Sequence, residues 1–436
     1  MAVNLPDGSG LAAERTPARR GYTAALVVLA VVFFMWGFAT VLNDTLVPHF
    51  KSAFRLDYAQ SLLVQFAFYL GYLVMGLPAA KILERTGYKL AVVVGLLGMA
   101  ASAAIFVPAA MLESYGMFLV ALFLLAAFIT LLQVAANPYV AVIGSPQTAS
   151  SRLNLVQAFN SLGTTLSPLF GGLLIFGRSV SGTAHGPVSL TAQQRAADIH
   201  TVELPYVLVA IVLLVLALIV WRVRLPDLGT ATRRAARAER AKHSLWRHRN
   251  LVFGVPAIVL YMICEIGIGS TLVNFISRPD IGGLTHEQAA KYVMLYWGGA
   301  MTGRFVGAWL LRWIPSGRLL GVASIGALAL AGIAITSSGH LAMWCLIAVG
   351  LCNSIMFPTI FTLGIHGLGP LTEEGSGLLI MAIAGGALAE LQGTLADYVG
   401  LQLSYILPWA CYLFILFYAV WGCRPTGAFH DEPQMS

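Results

Sequence analysis

Twelve runs of about twenty apolar residues occupy most of this chain, and they leave few folds open. A run of that length crosses a ~30 Å hydrocarbon core as a helix. Inside lipid a helix is also one of the few structures that satisfies its own backbone polar groups. The runs lie at 22–45, 59–82, 88–110, 115–141, 153–177, 203–223, 251–276, 289–312, 317–338, 341–366, 377–396 and 402–423. Only 10% of the 436 residues are charged, against about a quarter in soluble domains. The first run is too long for a cleavable signal peptide, and no small-residue cleavage site follows it.

The charges sort by side. With both termini inside, nineteen basic residues fall on the cytoplasmic face, nine of them between Arg222 and Arg249, and six on the other. Arg304 alone lies within a span. That asymmetry fits the positive-inside rule, so the net charge of +7 is topological and does not point to nucleic acid. The reading is an all-α membrane protein with twelve transmembrane helices in two six-helix bundles and cytoplasmic termini. Its parts are an N-terminal tail (1–21), a first bundle (22–223), a basic linker (224–250), a second bundle (251–423) and a tail (424–436). The five cysteines sit in or at the ends of spans, with no disulfide framework and no metal spacing. The loop from Arg178 to Glu203 carries no readable function.

Polar residues inside the spans are the candidate site. Asp44 is the most anomalous, since a carboxylate in hydrocarbon costs at least ~2.5–3.5 kcal/mol. Helical spacing puts Trp36, Thr40, Asn43 and Asp44 on one face of the first span. Gln133 and Asn137 are one turn apart on the fourth, and Gln157 and Asn160 on the fifth. Glu265 and Asn274 lie on the seventh span, Trp297 on the eighth, Asn353 on the tenth, and Glu390 and Gln392 on the eleventh. Amides both donate and accept, and aromatic faces pack on C–H surfaces, so this set suits a polyol. A lone amide in a membrane helix is otherwise interhelical glue. Arg304 pairs most simply with a carboxylate or with carbonyls. Lys81, Glu84, Arg85 and Lys89 read as a gating latch. No HExxH or GxSxG motif occurs, so the chain does not read as an enzyme.

WGFATVLNDTLVPHF, AFYLGYLVMGLPAAKILERTGYK, LLQVAANPYVAVIG, SRLNLVQAFNSLG and MFPTIFTLGIHGLG together resemble the fucose–proton symporter family. That family is a branch of the major facilitator superfamily, and CEIGIGSTLVNF is similar to its glucose/galactose transporters. The resemblance spans about 21–422. It implies proton-coupled uptake of a hexose (glucose, galactose or mannose type, or fucose) across a bacterial inner membrane by alternating access. No cofactor is implied beyond the proton as coupling ion. The expected partners are a small sugar and membrane lipids, with the chain acting as a monomer.

The resemblance makes Asp44 the first-helix acid, shared with Glu265 as candidates for proton coupling. It makes Gln157 and Asn160 sugar-contacting amides, with Asn137 nearby. Two positions depart from the pattern. Gln133 stands where the family carries a glutamate, which leaves an uncoupled facilitator open as an alternative, alongside a sugar-sensing receptor. The eleventh span is one residue short and carries Glu390.

Overall fold

A computed structural model describes residues 22–42, 58–171, 203–223, 225–226 and 244–426. Asn43 and Asp44 lie outside the described residues, as do the loop 178–202 and residues 224 and 227–243 of the linker. The described chain is helical throughout. In chain order it forms α1 (Tyr22–Leu42), α2 (Tyr58–Thr86), α3 (Tyr88–Met111), α4 (Tyr115–Val142), α5 (Ala149–Gly171) and α6 (Glu203–Arg222). The second half gives α7 (Arg249–Ser277), α8 (His286–Leu310), α9 (Ser316–Thr336), α10 (Gly339–Ile365), α11 (Gly369–Val399) and α12 (Leu401–Gly422).

Ten of these helices are long and apolar enough to cross a membrane. The other two, α5 and α8, are equally long but carry more polar residues, among them Asn154, Gln157, Asn160, Lys291 and Arg304. They are also one of the pairs through which the two halves of the chain meet. Ser151 on α5 donates to the Ala308 carbonyl on α8 at 2.5 Å, and Thr165 meets Met301 further along the same two helices.

Side chains close several helix ends, where the last carbonyls have no intrahelical donor. Arg152 donates to the Val140 and Ala141 carbonyls of α4. Asn250 donates to the Leu363, Gly364 and His366 carbonyls at the end of α10. Gln402 does the same for Ala334, Ile335 and Ser337 at the end of α9.

Two prolines open carbonyls that other helices then use. A proline has no N–H, so it leaves the carbonyl four residues earlier unbonded. Pro138 frees Val134 on α4, and Ser376 of α11 donates to it at 3.0 Å from the other half of the chain. Pro358 frees Ser354 where α10 breaks between Asn353 and Met356, and the Arg304 Nε donates to it at 3.1 Å.

The halves touch closely at the end of the molecule that carries Arg85, Arg152 and Arg312. There Ser150 bonds Thr362 at 2.6 Å and Ser316 at 2.8 Å, and Asn154 reaches Thr359. On the opposite seam α2 lies on α11 without side chains between them. A Cβ on Gly76 would stand 2.6 Å from the Met381 Cβ, and one on Gly377 would stand 2.8 Å from the Gly76 carbonyl. Small residues permit such close backbone approach. The seam ends where the Tyr69 ring packs on Gly386.

Within α11, Ala382–Ala389 is a 3-10 helix. Its rise of ~2.0 Å per residue exceeds the ~1.5 Å of an α-helix. Over eight residues the gain is roughly 4 Å. The helix is not short: α11 runs for 31 residues, Gly369–Val399. Glu390 follows directly and is exposed.

Candidate functional site

The buried polar residues form two groups, one in each half. In the first half, α4 and α5 carry the amides. Gln133 is buried and its Nε2 donates to the Tyr72 hydroxyl of α2 at 2.7 Å. Asn137, one turn on, is fully buried. Its Oδ1 lies 3.5 Å from the Gln157 Nε2, and its Nδ2 has no hydrogen-bond partner. A buried donor without a partner costs about 1–3 kcal/mol, so this Nδ2 marks a place where a further acceptor is wanted.

Asn160 sits differently from its neighbour Gln157. It lies where α5 crosses α1 at Gly37 and Gly163. A Cβ on Gly163 would stand 2.2 Å from the Phe34 carbonyl. At that crossing the Asn160 Nδ2 donates to the Phe33 carbonyl at 2.9 Å. Trp36 is buried on the same helix with its ring 4.3 Å from that of Phe33. In this conformation Asn160 holds α1 against α5.

In the second half the centre is Glu265 on α7, the one buried carboxylate among the described residues. The Arg304 Nη2 of α8 stands 3.6 Å from its Oε1, with both side chains only about a tenth exposed (12% and 11%). Arg304 also donates through Nη1 to Ser161 of α5, in the other half of the chain. It thus meets a carboxylate, a carbonyl and a hydroxyl at once. Tyr261, one turn before Glu265 on the same helix, is fully buried and its hydroxyl has no hydrogen-bond partner. The Tyr296 hydroxyl donates to the Glu265 backbone carbonyl at 3.2 Å, and Asn353 donates to Tyr296 while accepting from Tyr412 at 2.7 Å. Asn353 is therefore spent on α8 and α12.

Gln392 is fully buried beside Gly267, whose missing Cβ leaves room for its Oε1. Its Nε2 donates to Thr271, and the Oε1 has no hydrogen-bond partner. Trp297 lies over Gly269 on the same face of α7 and is 40% exposed. Asn274 is exposed near the far end of α7, away from this cluster. Lys81 and Arg85 are exposed on the last turns of α2, and Glu84 and Lys89 are half-buried. Hydroxyls, an amide and glycines make contacts between the halves at that end.

The residues that sequence reasoning did not single out are the hydroxyls: Tyr72, Ser161, Tyr261, Tyr296 and Tyr412. Helical spacing could have found two of them. Tyr261 is four residues before Glu265, and Ser161 is four after Gln157. Tyr72, Tyr296 and Tyr412 meet their partners only through the packing of separate helices.

The chain matches the major facilitator superfamily over residues 24–391. It is 44% identical to the glucose/galactose transporter of Brucella abortus over 97% of this chain and all of that one. It is 32% identical to the L-fucose-proton symporter of Escherichia coli over 92% and 93% of the two chains. The crystal structure of the major facilitator transporter FucP in the outward conformation superposes with a TM-score of 0.81. Sequence identity is 31%, covering 92% of this chain and 99% of that one.

Proposed function

Because this chain belongs to the major facilitator superfamily, we propose that it is a transporter of the bacterial inner membrane that carries a hexose by alternating access and couples it to proton entry. Relatives named for glucose and galactose, and others named for fucose and protons, support the substrate class and the coupling. The observation that carries the reading is the unpartnered Asn137 Nδ2 beside Gln157. A sugar hydroxyl can accept from one amide while donating to another.

In this reading α1–α6 and α7–α12 are the two bundles, and the end bearing Arg85 and Arg152 is cytoplasmic. The hydrogen bonds described between the halves run from that end up to the level of Thr165 and Met301. That distribution supports a state closed to the cytoplasm. Gln133, Asn137 and Gln157 face the sugar from the first bundle. Glu265, Gln392 and Trp297 face it from the second, with Asn160 and Asn353 fixing the helices that carry them. Asn43 and Trp36 complete the first-helix wall, and Asn274 stands near the outer entrance.

Proton coupling falls to Glu265 and to Asp44. Gln133 donates to Tyr72 and cannot titrate. One proton crossing 100 mV supplies about 2.3 kcal/mol, enough for a substantial sugar gradient. The same Gln133–Tyr72 bond favours a second reading, an uncoupled facilitator, because a neutral pair stands where the resembled family keeps an acid.

Proteoliposomes decide between these readings. Glucose, galactose and fucose are offered with and without an inward proton gradient. Accumulation above the equilibrium level only with the gradient supports symport. Counterflow without accumulation supports the facilitator. Neither process with any hexose removes the sugar reading.

A further inference from the structure

We propose that Arg304 is a positioning residue that links the charge on Glu265 to the seam between α5 and α8, by dividing its guanidinium between Glu265 and Ser161. The proposal deepens the transport reading above and rests on it.

The guanidinium is a rigid planar fork with donors on three nitrogens. In this protein the three point at three different elements. Nε is anchored on the Ser354 carbonyl at 3.1 Å, an acceptor that exists because Pro358 cannot bond to it. Nη2 points to Glu265 in the same half of the chain, and Nη1 to Ser161 in the other half. The anchor is on backbone, and α8 and α10 are held together by glycines. A Cβ on Gly303 would stand 2.3 Å from the Ser354 Oγ, and one on Gly350 would stand 2.2 Å from the Tyr296 carbonyl. The fork can therefore turn about Nε while its helices stay in place.

The two arms are not equally engaged. A charge-assisted N–H···O contact closes to about 2.7–2.9 Å, whereas Glu265 stands at 3.6 Å. In this conformation the fork is committed to Ser161, one turn beyond Gln157 on α5.

The surroundings of Glu265 leave Arg304 as its charged partner. Tyr261 and Cys264 of α7, Tyr296 of α8, Asn353 of α10, and Cys411 and Tyr412 of α12 line this region, and none of them is an Asp, Glu, Lys, Arg or His. A bare carboxylate draws Nη2 toward itself and loosens the Ser161 contact. A carboxyl that holds a proton, or is occupied by a sugar hydroxyl, gives up that pull and leaves the fork on Ser161. The charge state of one bundle thereby reaches the other through a single side chain.

The test uses the closed seam as its readout. Ser151 and Ala308 meet at 2.5 Å, so S151C with A308C, in a chain whose five native cysteines are replaced, cross-links when the seam is shut. Trypsin cuts the arginine-rich linker 224–250, and halves that stay together on a gel report the cross-link. S161A is expected to slow cross-linking about tenfold, the worth of one hydrogen bond from a charged donor. E265Q is expected to speed it. Glu265 and Ser161 do not touch, so their effects should be non-additive only through Arg304.

The expected result is a clear coupling of E265Q and S161A with Arg304 present and simple additivity in R304K, which keeps the charge and lacks the fork. R304K also serves as the folding control through its Tm. Additivity with Arg304 present, or coupling that survives in R304K, overturns the proposal. The assay needs no sugar and no gradient, so a failed transport reading leaves it interpretable, and the reverse also holds.

Discussion

Glu265 and Arg304 stand 3.6 Å apart between α7 and α8, each nearly buried, as an ion pair within the spans. Burying two charges is expensive, and such pairs repay the cost only when further hydrogen bonds satisfy the remaining donors and acceptors. Ser354 and Ser161 supply those bonds to Arg304.

Removing one member of this pair strands the other. R304A should therefore lower stability by about 3–5 kcal/mol, read as a large drop in Tm in detergent. The double variant E265Q with R304Q should recover most of that loss. E265Q alone should keep counterflow while losing gradient-driven accumulation, measured in proteoliposomes. Full accumulation by E265Q would move the coupling role to Asp44.

The two amides of α4 and α5 that look alike in sequence should behave differently. N137A removes an Nδ2 that has no partner and an Oδ1 that accepts only a long 3.5 Å contact from Gln157, so Tm should fall less than in N160A while KM for the hexose rises about tenfold, the loss of a hydrogen bond in the site. N160A removes a bond to the Phe33 carbonyl at the α1–α5 crossing and should cost about 0.5–1.5 kcal/mol. Equal Tm losses in the two variants would count against this division of roles.

Q133E places a carboxylate on the hydroxyl of Tyr72, which can turn to donate. A new titratable group in the first half should add a second pH-dependent step to sugar uptake. The Y72F partner should remove the hydrogen bond and shift that step. An uptake profile identical to the wild type would show that position 133 takes no part in coupling.

G76A and G377A test the other seam. Each adds a Cβ within 3 Å of the facing helix, a contact that forces the helices apart. Both should weaken the closed cytoplasmic end, seen as faster labelling of a cysteine introduced at Ala80 from that side. Little change is expected from G393A, where an added Cβ meets nothing within 4 Å.

Most of the fold is legible in the chain because hydrocarbon leaves no alternative to helices of full length. The apolar runs and the helices agree closely for α3 (88–110 against Tyr88–Met111) and α4 (115–141 against Tyr115–Val142). The run read at 377–396 falls short of α11, which begins at Gly369. Thr372, Glu373 and Glu374 open that helix and break the apolar run without breaking the helix. The 3-10 stretch within it was not legible either, since Ala382–Ala389 reads as any apolar helix. Packing of Gly385 on Val259 and of Gly386 on Tyr69 accompanies that geometry.

The candidate site divides in the same way. Asn137, Gln157, Glu265 and Arg304 stand out in sequence because polar groups in lipid are costly wherever they point. That cost says nothing about their partners. Asn160 on Phe33, Asn353 between Tyr296 and Tyr412, and Arg304 between Glu265 and Ser161 join residues 127, 57 or 59, and 39 or 143 positions apart. The sequence alone determined that this chain crosses a membrane as helices, and which residues pay to be inside. The tertiary structure alone decided which of those are spent on holding helices and which keep a free donor or a shared charge. Hydrogen-bond partners are set by how helices cross, through glycine contacts and proline-freed carbonyls, and no periodicity along one helix encodes the face of another.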